Sequence, residues 1–154
     1  MTERKLNRYL YRAKRIDNGE WVEGALVYDN ADEMYRIIAE IHYSTGTCII
    51  AEKAPRIDES TICQCTGLKG KNGELIWEKD MVKDLFSDTA APIRYGSYKS
   101  CFDSSPTEHV GFYVDWSDTR CKNYRKDLGY WINMVDAELV GNTIDNPELL
   151  TKLN

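Results

Sequence analysis

Five cysteines and two histidines are the residues of this 154-residue chain best suited to nucleophilic or metal chemistry. Cys63 and Cys65 form a C-x-C pair, with Cys48, Cys101, Cys121, His42 and His109 elsewhere. Structural zinc sites draw on paired knuckles with about two to four residues between ligands, a spacing this pair does not have. Two residues apart on a strand, Cys63 and Cys65 share one face, which suits small buried hydrophobes as well as ligands. The expectation is therefore core cysteines and no metal. Cys101 or Cys121 with His109 would supply a thiol–imidazole pair, but the surroundings read as polar loop and fix no geometry for catalysis. Asp115 and Asp118 flank Trp116 as ordinary turn acids. No catalytic residue and no cofactor is expected.

The glycine-rich stretch Gly67–Gly73 fails as a phosphate loop. A Walker-type loop needs four residues between its first glycine and a Gly-Lys-Ser/Thr ending. Here Gly70 follows Gly67 after two residues, and Asn72 stands where the hydroxyl is needed. A hairpin turn accounts for the same residues.

Charge offers a different chemistry. The chain carries 25 acidic and 20 basic side chains, a net −5, which argues against a surface that coats nucleic acid throughout. Yet Arg4, Lys5, Arg8, Arg12, Lys14 and Arg15 face the single acid Glu3 in residues 1–15, a local +5 that leaves −10 for the rest. Such an arm either packs on acidic surface, its own or a neighbouring subunit's, or binds phosphates with Tyr9 and Tyr11 as stacking surfaces. Arg120, Lys122, Arg125 and Lys126 around Tyr124 form a second basic cluster. Together these ten side chains are the candidate nucleic-acid contacts.

The elements that must position these residues read mostly as short strands. Asn18-Gly19 between two strand-like runs predicts a hairpin of 8–16 with 20–28. In the arm, a helical stripe of Leu6, Tyr9, Leu10, Ala13 and Ile16 competes with the strand reading. A second hairpin is expected from 34–41 and 48–51 around Ser44-Thr45-Gly46. Pro55–Thr61 reads as a turn or single helical turn. Asn72-Gly73 repeats the first turn before Leu75–Leu85. Residues 87–92 and 103–108 read as loops; 93–98, 110–116, 130–134 and 137–140 read as strands. Asn146-Pro147-Glu148 starts a helix. The fold class expected is mainly β (α+β), a small bent sheet or SH3-like barrel with a short C-terminal helix. The domain expectation is one unit over 1–154, with a hairpin region at 1–62 and a barrel-like region at 63–154.

At 42% hydrophobic residues the chain has material for a core. No apolar run approaches the roughly 18 residues of a membrane span, so no membrane partner is expected. The start, Met1-Thr2-Glu3-Arg4-Lys5, lacks an apolar signal core, and the odd cysteine count fits reduced thiols, so the expected location is a cytosol.

Two long stretches carry a family resemblance. Residues 64–82 read QCTGLKGKNGELIWEKDMV, which resembles the signature QYTGLKDKNGKEIYEGDIV of YopX-like proteins of phages and prophages. Residues 139–150 read LVGNTIDNPELL, similar to that family's EVIGNIYENPELL. Tyr11-Arg12-Ala13 sits where an early FRAWD element is expected, and Val110-Gly111-Phe112 lies in the matching central region. Lys79 replaces a usual glycine, Thr143 stands in place of an inserted isoleucine and its aromatic neighbour, and Lys14-Arg15 replace Trp-Asp. The resemblance implies a small protein of unknown biochemical activity in the host bacterial cytoplasm, assembling as a homo-oligomer. It brings no catalytic residues. A non-enzymatic protein-interaction module is therefore expected, with a host or phage protein as a possible partner; the alternative is a small-barrel nucleic-acid-binding protein.

Overall fold

The computed structural model describes residues 7–100, 103–105 and 107–151. Strand makes up 46% of it and helix 12%, so the chain is mainly β. Its contacts divide it into two units, Met1–Cys65 and Thr66–Asn154.

In the first unit the Asn18-Gly19 turn does what its sequence asks. Gly19 takes a φ of +71°, the Asn18 side chain accepts from the Glu20 N–H at 3.0 Å, and β1 (Tyr11–Lys14) pairs antiparallel with β2 (Trp21–Asp29). The arm holds something of both expected forms: a 3-10 turn at Asn7–Tyr9 precedes β1. The second hairpin is built differently from the expectation. Residues 34–41 split into β3 (Met34–Ile38), which folds back onto β2, and β4 (Glu40–Ser44), which pairs with β5 (Ile49–Lys53). Mixed Tyr and Ile composition cannot mark such a division, because both strands have equal propensity. Asp58 caps a 3-10 turn at Glu59–Thr61 by accepting from the Ser60 N–H. β6 (Cys63–Lys69) then lies along β1, giving the order β3-β2-β1-β6. Ala13, Ile37 and Ile57 form a small core, flanked by Tyr11, Val22, Leu26 and Ile62.

Arg36 ties the β2–β3 connection together. Its Nε donates to Asp29 at 2.7 Å, a terminal nitrogen donates to Asp32, and another donates to the Ala54 carbonyl at 3.0 Å. These bonds to Arg36 hold the Asp29 carboxyl below its usual range.

The second unit takes the rest of β6 and turns at Gly70–Glu74 into β7 (Leu75–Trp77). β8 (Asp80–Lys83), β9 (Ala90–Lys99), β10 (Glu108–Val114) and β11 (Leu139–Asn142) form an antiparallel sheet in the order β10-β9-β8-β11. The sheets are not closed into a barrel, so the open sheet is the form found. Ile76, Val82, Ile93, Val114, Trp116 and Trp131 centre its core.

Two expectations need correction here. Pro92, placed in a loop by its composition, lies inside β9 opposite Met81, and its carbonyl accepts from the Asp115 N–H at 2.9 Å. Tyr130–Met134, of strand composition, is a single π-helical turn that buries Trp131 and Ile132. Core packing of the indole outweighs the β-propensity of five residues. The C-terminal helix α1 (Glu148–Thr151) starts as Asn146-Pro147 predicts.

Candidate functional site

The ten basic candidates fall into both units. Arg4 and Lys5 lie outside the described residues. Arg8 lies over the Tyr9 ring at 5.1 Å. Arg12 and Lys14 are on β1, a strand paired on both edges, and both sit over the Trp21 ring, at 4.5 and 4.6 Å. Arg15 binds Asp17 through two nitrogens, at 2.9 and 2.6 Å. That hydrogen-bonded pair raises the Arg15 pKa and lowers that of Asp17. The described part of the arm is thus built into a sheet, with its cations against an indole and a carboxylate. The sequence pattern showed the charges but not Trp21 beneath them.

Arg120, Lys122, Arg125 and Lys126 belong to the second unit, on the connection from β10 to the π-turn. Arg120 and Lys122 are exposed. The Lys126 carbonyl accepts from the Val114 N–H at 2.9 Å, which anchors the segment to β10. Arg125 reaches Asp127 at 3.1 Å and covers the Tyr130 ring at 5.0 Å. Its carbonyl accepts from the Trp131 indole N–H at 2.7 Å. Trp131 stacks on Tyr124 at 5.9 Å with 19° between planes, and Trp116 packs against both.

Tyr124, Tyr130 and Trp131, with Asn123 and Arg125, line one part of a cavity of about 360 Å³. Asp84, Leu85 and Phe86, from the loop after β8, form the other. Asp84 is buried and accepts from the Ser87 hydroxyl at 2.8 Å. The Tyr124 N–H donates to the Cys121 carbonyl at 2.8 Å, and the neighbouring Cys121 side chain together with burial pushes the Tyr124 phenol above the ordinary range. Phe86 is 89% exposed at this cavity. Sequence reading placed a loop at 87–92 but did not single out Asp84 and Phe86 at its start. The one signal was an aromatic residue, Phe86, followed directly by the polar run Ser87-Asp88-Thr89, an unusual place for a phenyl ring.

A second unassigned surface is the β4–β5 ribbon. Every residue of Glu40–Ser44 is exposed, including Ile41 at 54% and Tyr43 at 55%, and Ile50 opposite Tyr43 is 50% exposed. The outer half of the β9–β10 ribbon similarly exposes Tyr95 and Val110.

The thiols and histidines are accounted for elsewhere. Cys63 and Cys65 are fully buried on one face of β6, as their spacing predicts for core residues, and Cys121 is buried as well. Cys48 is exposed, and Cys101 lies outside the described residues. His109 meets Asp103 at 2.7 Å and stacks on Tyr98. Asp115 accepts from Arg94 at 2.8 Å and from the Ser117 side chain. Burial works to raise its pKa, but these hydrogen bonds prevail and lower it.

The two stretches that carry the family resemblance are hydrogen-bonded neighbours. β8 pairs with β11, with Asp80 opposite Asn142 and Met81 opposite Gly141. The Lys79 carbonyl accepts from the Thr143 N–H at 2.9 Å. Asp80 accepts from the Trp77 N–H at 2.8 Å and so closes the turn between β7 and β8. A family model described as YopX protein matches residues 10–151. The chain belongs to the YopX family. Among solved structures this YopX protein resembles protein EF1440 from Enterococcus faecalis. The two are 26% identical with a TM-score of 0.54, over 91% of this chain and 96% of that one. No curated protein matches it.

Proposed function

We propose that this YopX protein is a non-enzymatic phage or prophage accessory protein that works in the host cytoplasm as a homo-oligomeric protein-interaction module. The observation that carries this reading is the β4–β5 ribbon. A two-stranded hairpin is marginal on its own, and this one exposes Ile41, Tyr43 and, opposite Tyr43, Ile50. A partner surface over these side chains removes apolar area from water at roughly 25 cal/mol per Å². The partner proposed is a second copy of the chain, which has the same self-complementary face to offer in a closed assembly. The excess of acid outside residues 1–15 adds to this, because it gives each copy a surface complementary to a basic strand. Replacing Ile41 and Tyr43 by glutamate tests the reading. The double variant is expected to elute as a smaller species than the parent in size-exclusion chromatography while keeping its β circular dichroism. An unchanged assembly would overturn the role of the ribbon.

A second reading, nucleic-acid binding, is favoured by one observation: Arg125 lies over the Tyr130 ring beside a cavity lined by aromatic residues. It predicts binding that weakens steeply with salt and falls when Arg120, Lys122 and Arg125 become alanine. Absence of binding at low salt would sink it.

A further inference from the structure

The cavity between the Asp84–Phe86 loop and the 123–131 segment has walls of three different chemistries. Phe86, 89% exposed, offers a flat apolar face; Tyr130 and Trp131 line the cavity beside it, with Arg125 over the one ring and Tyr124 stacked on the other. Phe86 is the most exposed large hydrophobic residue among those described. A nucleobase laid on such a face gains stacking whatever its identity. Asp84 is the second chemistry. An ionised carboxylate accepts hydrogen bonds and donates none, and it offers about four lone-pair sites. The Ser87 hydroxyl uses part of that capacity, so a ligand N–H can use the remainder. Positive charge is the third. Arg125 lines the cavity, and Lys122 is exposed next to the lining residue Asn123 in the chain.

A planar ring, a donor edge and an anion in one molecule describe a nucleotide, and about 360 Å³ lies within the range of small-ligand sites. We propose that this cavity binds a nucleotide whose base carries an exocyclic amino group. The base stacks on the aromatic wall, its amino edge faces Asp84, and its phosphate lies toward Arg125. The ligand is either a free nucleotide or one nucleotide of a single strand, since both present the same groups. The inference does not depend on the homo-oligomer. It narrows the nucleic-acid reading to one site in the second unit.

Isothermal titration calorimetry of the full chain with AMP, CMP, UMP, inorganic phosphate and a short oligoadenylate tests it. AMP and CMP are expected to bind with Kd below about 1 mM, UMP about tenfold more weakly, and phosphate without measurable heat. Tighter binding of the oligoadenylate than of AMP identifies a single strand as the source; equal or weaker binding identifies the free nucleotide. Phe86→Ala, a substitution at an exposed side chain that leaves the core intact, is expected to weaken AMP binding about tenfold. Arg125→Gln is expected to weaken AMP while leaving adenosine little changed. No heat with either AMP or the oligoadenylate, or an unchanged affinity in Phe86→Ala, overturns the proposal. UMP binding as tightly as AMP overturns the role of Asp84. Salt-sensitive binding of long DNA without any binding of AMP would leave the nucleic-acid reading standing and remove this one.

Discussion

Single residues carry much of the local order, and three of them make testable predictions. Lys79 holds a φ of +70° at the position where the family resemblance calls for glycine. The left-handed turn before Asp80 is therefore kept with a residue that strains to make it. Lys79→Gly should raise stability by about 1 kcal/mol in urea denaturation, less whatever the lysine side chain contributes. Gly141 is the opposite case. Its φ is +143°, and a Cβ there would lie 2.3 Å from Asn146 Oδ1, the acceptor for the Asn142 N–H. Gly141→Ala should cost about 2 kcal/mol, read as a lower midpoint in the same titration. Asp29 provides a pH dependence. Arg36 lowers its folded pKa below the ordinary 3.8, so its contribution is present in full above that value and is lost as pH falls through the lower, folded one. Arg36→Gln should flatten the loss of stability between about pH 5 and pH 2, besides weakening the fold at neutral pH. An acid slope equal to the parent's would contradict the assignment.

At the scale of elements, local turn chemistry was legible and long-range pairing was not. Asn18-Gly19, Asn72-Gly73 and Asn146-Pro147 each produce the turn or helix start their residues require. The buried placement of Cys63 and Cys65 follows from their spacing alone. By contrast, nothing within residues 34–41 says that Met34–Ile38 returns to β2 while Glu40–Ser44 pairs forward with β5. That choice depends on Ile37 joining Ala13 and Ile57 in the core. Tyr130–Met134 shows the same limit, since Trp131 is drawn into a cluster with Trp116 and Tyr124, residues distant in sequence. Pro92 fits inside β9 because its carbonyl, which proline retains, is the group put to use. The candidate cavity was half legible: the basic cluster around Tyr124 stood out, but the loop bearing Asp84 and Phe86 meets it only in the fold. β9–β10 adds a device of its own. Gly96 and Gly111 face each other, and Tyr98 and Tyr113 stack across that gap at 5.1 Å. Tyr98→Ala should fray the outer ribbon, seen as faster amide exchange at residues 95–99 and 108–112 with little change at Ile93.

For the whole molecule, the distribution of charge and apolar surface matters more than either total. The net −5 conceals a basic N-terminal segment, and its described cations lie against Trp21, Tyr9 and Asp17 rather than extending as a free arm. Among the described residues, the β4–β5 ribbon and the outer β9–β10 ribbon leave large apolar side chains exposed. The proposed oligomer would cover the first of these. No helix among the described residues is long and apolar enough to cross a membrane. Sedimentation equilibrium of the purified chain, over a range of loading concentrations, tests the central claim most directly. The account predicts a mass that is a fixed integer multiple, two or more, of 17.8 kDa. A single species of 17.8 kDa at every concentration would contradict it.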